Sequence, residues 1–133
     1  MIKNESLALI QSYINGWKQN NIQLIASCLS ENCIVIESHG PTYHGIQDIS
    51  TWFKLWTEAK STISKWDIQS FTFCEQEQTA FCEWDFACRS NNTRYAFPGI
   101  SILKFTNHKI SFIHEYRMTA PAFDWDRAKL ISE

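Results

Sequence analysis

Apolar residues recur every three or four positions in the first part of the chain, and this spacing predicts three amphipathic helices. Their apolar faces are Leu7, Ile10, Ile14 and Trp17, with Tyr13 at the edge, then Ile22, Ile25, Ala26 and Leu29, then Ile49, Trp52, Phe53 and Trp56. Between the first two helices the chain is polar, and Asn20 or Asn21 can cap the second helix. The third helix follows a predicted turn, His39–Gly45, which contains glycine and proline.

From about Lys60 the pattern changes to alternating apolar and polar residues, which predicts β-strands. One earlier strand and four later ones are predicted: Cys33–Ser38, Trp66–Cys74, Thr79–Arg89, Tyr95–Phe105 and Lys109–Met118. Short polar segments separate the last four strands, so we expect them to form hairpins of an antiparallel meander.

The order of these elements predicts an α+β fold in which three N-terminal helices pack on a curved, mainly antiparallel sheet. A strongly twisted sheet of this size curls, and helices on its concave face enclose one pocket, which gives a cone-shaped roll. No internal repeat or linker is visible, so residues 1–133 are predicted to form a single domain. Beyond Pro121, a short helix over Trp125–Ile131 is predicted to cover a sheet edge.

Charge and composition argue against several classes of function. The 12 basic and 14 acidic residues give a net charge of −2 without a basic stripe, which disfavours a nucleic-acid partner. No segment approaches the roughly 18 consecutive apolar residues that span a membrane, and no signal peptide is recognisable at the start. We therefore expect a cytoplasmic protein without a membrane partner. The five cysteines contain no Cys-x-x-Cys pair, so we expect reduced thiols and no metal site.

Several segments, taken in order, resemble the nuclear-transport-factor-2-like superfamily. They are Tyr13–Trp17, Asn21-Ile22, Leu29–Ser38, Tyr43–Ile46 before a Trp-bearing helix, Gly99–Phe105, Lys109-Ile110 and His114–Tyr116. The similarity covers nearly the whole chain and implies the cystatin-like cone of that superfamily. Its members include ketosteroid isomerase, polyketide cyclases of the SnoaL type and several non-catalytic proteins, so the fold alone does not define an activity.

Over its first 40 residues the chain aligns with ketosteroid isomerase without a gap. The resemblance places Tyr13 at the position of the isomerase's oxyanion-hole tyrosine and Glu37 at the position of its general base. A base that works at neutral pH needs a raised pKa, which an apolar pocket provides. A buried tyrosine hydroxyl can stabilise a developing enolate oxygen. Ser101 stands where the isomerase has a protonated aspartate, which implies a second, weaker hydrogen-bond donor.

Arg117 departs from the isomerase, which has an apolar aromatic residue near its last strand. Alternation puts Ile113, Glu115 and Arg117 on one face of the last predicted strand. If that face lines the cavity, the pocket holds two acids and a guanidinium, which favours a polar or anionic ligand over a steroid. No nucleotide-binding loop is visible, and no cofactor is expected.

Each of these residues also has a structural interpretation. Tyr13 can be an ordinary core tyrosine, and Glu37 can face solvent or pair with Arg117. Trp84 alternates with other apolar residues and belongs to the core or to the pocket wall. The residues predicted to bind a ligand are Trp17, His39, Trp52, Trp56, Trp84, Glu115 and Arg117.

The opposite face of the last predicted strand is apolar for a surface. Its residues Phe112, His114, Tyr116 and Met118 predict a homodimer that forms through the sheet. Two functions stay open. One is a cofactor-independent isomerase, lyase or cyclase that acts on a small molecule, with Glu37 as the base and Tyr13 as a donor. The alternative is a non-catalytic ligand-binding or accessory module.

Overall fold

The computed structural model describes residues 1–126, and it contains three helices and six strands. The elements are α1 Lys3–Lys18, α2 Ile22–Ser27, β1 Leu29–Ile36, β2 Thr42–His44, α3 Gly45–Glu58, β3 Thr62–Cys74, β4 Thr79–Ser90, β5 Thr93–Thr106 and β6 Lys109–Arg117. The described residues after β6 form no regular element. Most of the predicted helix Trp125–Ile131 lies outside the described residues.

The first two helices form where their apolar spacing predicts them and pack together in one corner, but α2 ends at Ser27, so Leu29, predicted on its apolar face, begins β1 instead. Asn21 caps α2 through its side chain, which accepts a hydrogen bond from Leu24 N at 3.1 Å. Such a cap satisfies a backbone donor that has no partner within the helix. Gly16 lets the two helices approach closely, because a side chain there would lie 2.7 Å from the side chain of Ile25. The close contact fixes the position of α1 over the sheet.

All six strands belong to one sheet with the order β2-β1-β6-β5-β4-β3. Strands β3 to β6 form the predicted antiparallel meander. Its last two turns each place two residues in the left-handed region, Asn91 and Asn92 at φ 50° and 61° and Asn107 and His108 at φ 51° and 61°. Two consecutive residues with positive φ are typical of type I′ hairpin turns, whose twist matches that of the strands.

The α+β fold is thus confirmed, and three details of the predicted sheet are corrected. The sheet has six strands, because Thr42–His44 pairs with β1 where only a turn was expected. The strand predicted over Cys33–Ser38 begins earlier and ends at Ile36, so Glu37 lies in the turn that follows. In addition, β1 and β6 are parallel, which places Ile36 beside His114.

The core lies between the helices and the concave face of the sheet. Val35, Leu103 and Ile113, from three neighbouring strands, are each at most 2% exposed, and register places them side by side. Alternation then assigns the next positions on each strand to the same face. Glu115 and Arg117 therefore follow Ile113 on the concave side, towards the open end of the cone.

Candidate functional site

One cavity opens between the helices and the concave face, and it has a volume of about 420 Å³. This size lies within the range of small-molecule sites. The lining residues come from α1, α3, the turn after β1, and strands β3 to β6: Tyr13, Trp17, Glu37, Ser38, His39, Trp52, Trp56, Ile63, Trp66, Trp84, Phe86, Cys88, Ser90, Tyr95, Phe97, Glu115 and Arg117. Nine of these seventeen residues are Phe, Trp or Tyr, so the wall is largely aromatic.

Glu37 presents its carboxyl group to this cavity from the turn between β1 and β2. The turn is closed by hydrogen bonds from Glu37 N to Pro41 O and from Gly40 N to Glu37 O, both 2.9 Å. The Tyr43 hydroxyl donates to Glu37 Oε1 at 2.5 Å, and His39 Nδ1 lies 4.0 Å from Oε2. Burial raises the pKa of Glu37. The hydrogen bond from Tyr43, and then the electrostatic effect of His39, act to lower this pKa. The Tyr43 bond therefore favours the ionised form of Glu37.

Glu115 supplies a second carboxyl group to the same cavity. Because Ile36 pairs with His114 in the parallel register, Glu37, the first residue after β1, follows this pair on one side and Glu115 of β6 follows it on the other. Among residues 1–126 the Glu115 carboxyl makes no hydrogen bond and no ion pair. Burial, and then the charge of Glu37, raise the pKa of Glu115 to about 8. At neutral pH Glu115 is therefore mostly protonated, while the hydrogen bond from Tyr43 favours the ionised form of its neighbour Glu37.

Tyr13 reaches the cavity from α1 and is 3% exposed. Its ring meets the rings of Trp17 and Trp66 edge to face. Burial, followed by the Glu115 charge, raises the pKa of Tyr13 well above its ordinary value, and the Trp17 indole acts to lower it. However, the buried Trp17 N–H does not reach hydrogen-bond geometry with any acceptor in residues 1–126. The Tyr13 hydroxyl thus stays protonated and can donate to a ligand.

The helix side of the cavity is a stack of indole and phenol rings. Trp52 lies parallel to Tyr43 at 4.2 Å between ring centroids and 4.4 Å from Trp17. Trp56 donates its indole N–H to Asn20 Oδ1 at 3.1 Å, which fixes the end of α3 near the end of α1. The Tyr43 ring is therefore positioned by Trp52, and its hydroxyl in turn positions the Glu37 carboxylate.

The structure places Ser101 apart from the other predicted catalytic residues. Ser101 is buried and lies outside the cavity lining, and its hydroxyl accepts a hydrogen bond from Trp84 Nε1 at 2.8 Å. The side chain follows the concave alternation, but the larger Trp84 indole covers that part of the wall. The predicted donor role of Ser101 is corrected to a supporting one, in which it orients Trp84.

Arg117 lines the cavity. One interpretation of the sequence allowed an ion pair between Arg117 and Glu37, and the structure does not contain this pair within residues 1–126. Its guanidinium carbon lies 4.6 Å above the centroid of the Phe97 ring. Within residues 1–126 no ion pair joins Arg117 to either cavity carboxylate. A guanidinium over an aromatic face is a favourable cation–π contact, so Arg117 is oriented by the wall itself.

The cavity brings together nine of the ten site residues predicted from sequence. These are Tyr13, Trp17, Glu37, His39, Trp52, Trp56, Trp84, Glu115 and Arg117. Sequence reasoning missed Tyr43, which binds Glu37 from outside the lining, and the wall residues Trp66, Tyr95 and Phe97. Alternation from Ser101 back to Tyr95 could have identified the last two, because both lie on the concave side of β5.

Two negative findings apply to residues 1–126. No group of three or more His, Cys, Asp or Glu side chains in this part of the chain is arranged to hold a metal ion. The helices described there are all too short or too polar to cross a membrane.

A family model now places this geometry among known proteins. The model of the SnoaL-like domain matches residues 10–113, which include the second half of α1, all of α2, Glu37 and most of the sheet. The chain belongs to the SnoaL-like family. A comparison of this SnoaL-like chain with curated proteins gave no match.

Solved structures similar to this SnoaL-like protein share its fold at low sequence identity. A candidate polyketide cyclase from Xanthomonas campestris pv. campestris is 13% identical, with 98% of this chain and 96% of that chain covered and a TM-score of 0.72. An LEH-like epoxide hydrolase from M. tuberculosis is 10% identical, with 87% and 84% covered and a TM-score of 0.76. A hypothetical protein with a ketosteroid isomerase-like fold from Catenulispora acidiphila, in complex with trimethylamine, is 15% identical, with 81% and 83% covered and a TM-score of 0.68.

Proposed function

We propose that this SnoaL-like protein is a cofactor-independent isomerase, lyase or cyclase that acts on a small molecule in the cavity. The observation that carries the proposal is the pair of carboxyl groups, Glu37 and Glu115, in one aromatic cavity. Their surroundings differ, because Glu37 accepts a hydrogen bond from Tyr43 while Glu115 has none. Two neighbouring carboxyl groups whose surroundings differ in this way can provide a proton acceptor and a proton donor at the same pH.

In this proposal Glu37 removes a proton from a carbon atom next to a carbonyl group of the substrate. The electrons of that C–H bond move towards the carbonyl oxygen, and the Tyr13 hydroxyl donates a hydrogen bond to the developing oxyanion. Protonated Glu115 then supplies a proton to a second position of the substrate or to a departing hydroxyl group. In an isomerisation the substrate thus loses one proton to Glu37 and gains one from Glu115. In an elimination the proton from Glu115 joins the departing hydroxyl group, which leaves as water.

The surrounding residues support these roles without taking part in proton transfer. Tyr43 holds Glu37 in one orientation, and burial raises the Tyr43 pKa, so that its hydroxyl remains a donor. The aromatic wall makes the space around both carboxyl groups largely apolar, which strengthens electrostatic interactions there. The names of the similar structures, a candidate cyclase and an epoxide hydrolase, agree with a small-molecule substrate.

Replacement of Glu37 by Gln tests the proposal, because the amide keeps the shape of the side chain but cannot accept the proton. We expect Glu37→Gln to reduce kcat by about a hundredfold or more on any substrate that a panel of small carbonyl compounds and epoxides identifies. The control is Glu31→Gln, which changes an exposed carboxylate of β1. Circular dichroism spectra should show that both variants are folded.

Two results would contradict the proposed catalysis. One is a Glu37→Gln variant that turns substrate over at the wild-type rate. The other is a ligand that binds in the cavity but is never converted, which would assign the protein to the non-catalytic ligand-binding alternative.

We further propose that the protein forms a homodimer through the convex face of its sheet. Register groups His114 on this face with the apolar and aromatic residues Ile34, Ile36, Phe81, Ile100, Ile102, Phe112 and Tyr116. Tyr116 and the adjacent Met118 are 47% and 46% exposed. Lys104 and Glu83 lie on the same face and carry opposite charges. A two-fold related copy could therefore bury the apolar rows and pair these charges across the interface.

The dimer is tested by placing a charge at its proposed centre. We expect the wild-type protein to sediment as a dimer and Tyr116→Glu to sediment as a monomer, because a buried unpaired carboxylate opposes association. Gln47→Glu adds the same charge on the exposed surface of α3 and should leave the dimer intact. Analytical ultracentrifugation distinguishes these outcomes. A monomeric wild-type protein, or a dimeric Tyr116→Glu variant, would refute the interface.

A further inference from the structure

We infer that the substrate of this cavity carries a positively charged organic ammonium group, which the cavity recognises by its aromatic wall and its two carboxyl groups together. The inference deepens the proposed function and rests on it, because it names the chemical class of the substrate for the same site. Three features of the cavity support it: the lack of cationic partners for the acids, the composition of the wall, and the position of the one guanidinium.

The first feature is the shortage of positive charge around the carboxyl groups. Glu37 is 21% exposed, and the one basic side chain within 4.0 Å of it in residues 1–126 is His39, which is 56% exposed. Glu115 has no hydrogen bond or ion pair within residues 1–126. Buried carboxyl groups are normally paired or hydrogen-bonded, because water no longer stabilises their charge. A cation inside the cavity would pair with the Glu37 carboxylate, which has only the Tyr43 hydrogen bond and the neighbouring His39, and would favour the ionised form of Glu115 beside it.

The second feature is the wall opposite these acids. Five of the lining residues are tryptophans, and four more are phenylalanine or tyrosine. Aromatic rings attract a cation through the negative charge density of their faces, and indole does so most strongly. Organic ammonium ions suit such a wall better than metal ions, because their alkyl groups also bury apolar surface.

The third feature is the position of Arg117. Its guanidinium lies over the Phe97 ring at the end of β6 and makes no ion pair with Glu37 or Glu115 within residues 1–126, so it neutralises neither acid. An anion in the cavity would meet the Glu37 carboxylate as well as Arg117, and like charges repel more strongly beside an apolar wall than in bulk water. A neutral ligand would fill the aromatic space but would bring no positive charge to Glu37.

A series of probes with one shape and three charges tests the inference. Choline, 3,3-dimethylbutan-1-ol and 3,3-dimethylbutanoate share a branched head of the same size, which is cationic in choline and uncharged in the other two. In the butanoate the other end carries a negative charge. Binding to the intact protein is measured by titration calorimetry or by the quenching of tryptophan fluorescence. We expect choline to bind about tenfold or more tightly than the alcohol, and the butanoate to bind most weakly.

Two variants locate the effect in the cavity. Glu37→Gln should lower the affinity for choline about tenfold while changing the affinity for the alcohol little, because only the cation uses the charge. The control, Glu31→Gln, should leave all three affinities unchanged. Binding of choline that is absent, or no tighter than that of the alcohol, would overturn the inference, as would a preference for the butanoate.

These outcomes are separate from those of the proposed function. The probe series measures binding only, so a failure to prefer choline rejects the ammonium substrate and leaves the effect of Glu37→Gln on turnover to be judged by itself. Selective binding of choline together with a complete lack of turnover would reject the catalysis and keep the ammonium site.

Discussion

The stability of the wild-type protein should fall as the pH rises from about 5 to about 9, and Glu115→Gln should remove much of that fall. The ordinary pKa of a glutamate, 4.5, is raised to about 8 for Glu115 in the folded protein. Between these values the folded state holds a proton that the unfolded state has lost. The contribution of Glu115 to stability is therefore fully present below its unfolded pKa and is lost as the pH rises through its folded pKa.

The upper limit of this effect is about 1.4 kcal/mol for each pH unit in that window. Glu115 keeps some contact with solvent in the cavity, so we expect a smaller total, on the order of 1 to 3 kcal/mol across the window. Urea unfolding at several pH values measures it directly. The glutamine variant should approach or exceed the stability of the wild type at the alkaline end.

The control for this prediction is Glu77→Gln, which removes one carboxyl group from the exposed turn between β3 and β4. Its unfolding free energy should follow the wild-type pH profile. If Glu115→Gln follows that profile as well, the Glu115 carboxyl does not hold a proton more tightly in the folded state than in the unfolded state, and its proposed role as an acid fails.

Gly99→Ala should destabilise the protein by about 3 kcal/mol, near the upper end of what overpacking a core costs. A β-carbon at this position would lie 2.3 Å from Tyr116 O and 2.5 Å from the Trp84 ring. Neither neighbour can yield easily, since one is the backbone of the adjacent strand and the other is a buried indole held by Ser101. Displacement of Trp84 would also push its ring towards the cavity and weaken ligand binding.

Ala96→Gly provides the matched control on the same strand at an exposed position. It measures the intrinsic difference between alanine and glycine in β5, which favours alanine by about 0.5 to 1 kcal/mol. On that difference alone Gly99→Ala would stabilise the fold. Denaturant unfolding that shows Gly99→Ala to be as stable as the wild type would mean that the strand and Trp84 rearrange at little cost.

The elements of the fold could be predicted from sequence because each is encoded by neighbouring residues. The spacing of Leu7, Ile10 and Ile14 identifies α1, and the polar pairs Asn91-Asn92 and Asn107-His108 mark two hairpins. The parallel pairing of β1 with β6 could not be predicted in the same way. It joins residues that lie more than seventy positions apart, and no local pattern distinguishes a parallel edge from an antiparallel one.

The candidate site could likewise be predicted only in part. Alternation placed Glu115 and Arg117 on the same face of the last strand without deciding whether that face lines the cavity, and the resemblance to an isomerase identified Glu37 and Tyr13 as candidates. The contact of Tyr43 with Glu37 depends on β2 folding back on β1, which the turn residues alone did not reveal. Ser101 shows the opposite limit, because the resemblance identified it as a donor but could not predict that the Trp84 indole would cover that part of the wall.

The position of β6 between β1 and β5 determines when the sheet can assemble during synthesis on the ribosome. β6 is the last of the six strands to be synthesised, yet it joins the two halves of the sheet. Until β6 emerges, β1 pairs only with β2, and Glu115 is not yet present beside Glu37. A nascent chain that stops in β5 can therefore build helices and a meander, but it has no assembled cavity, and the site comes into being only in a late step of synthesis.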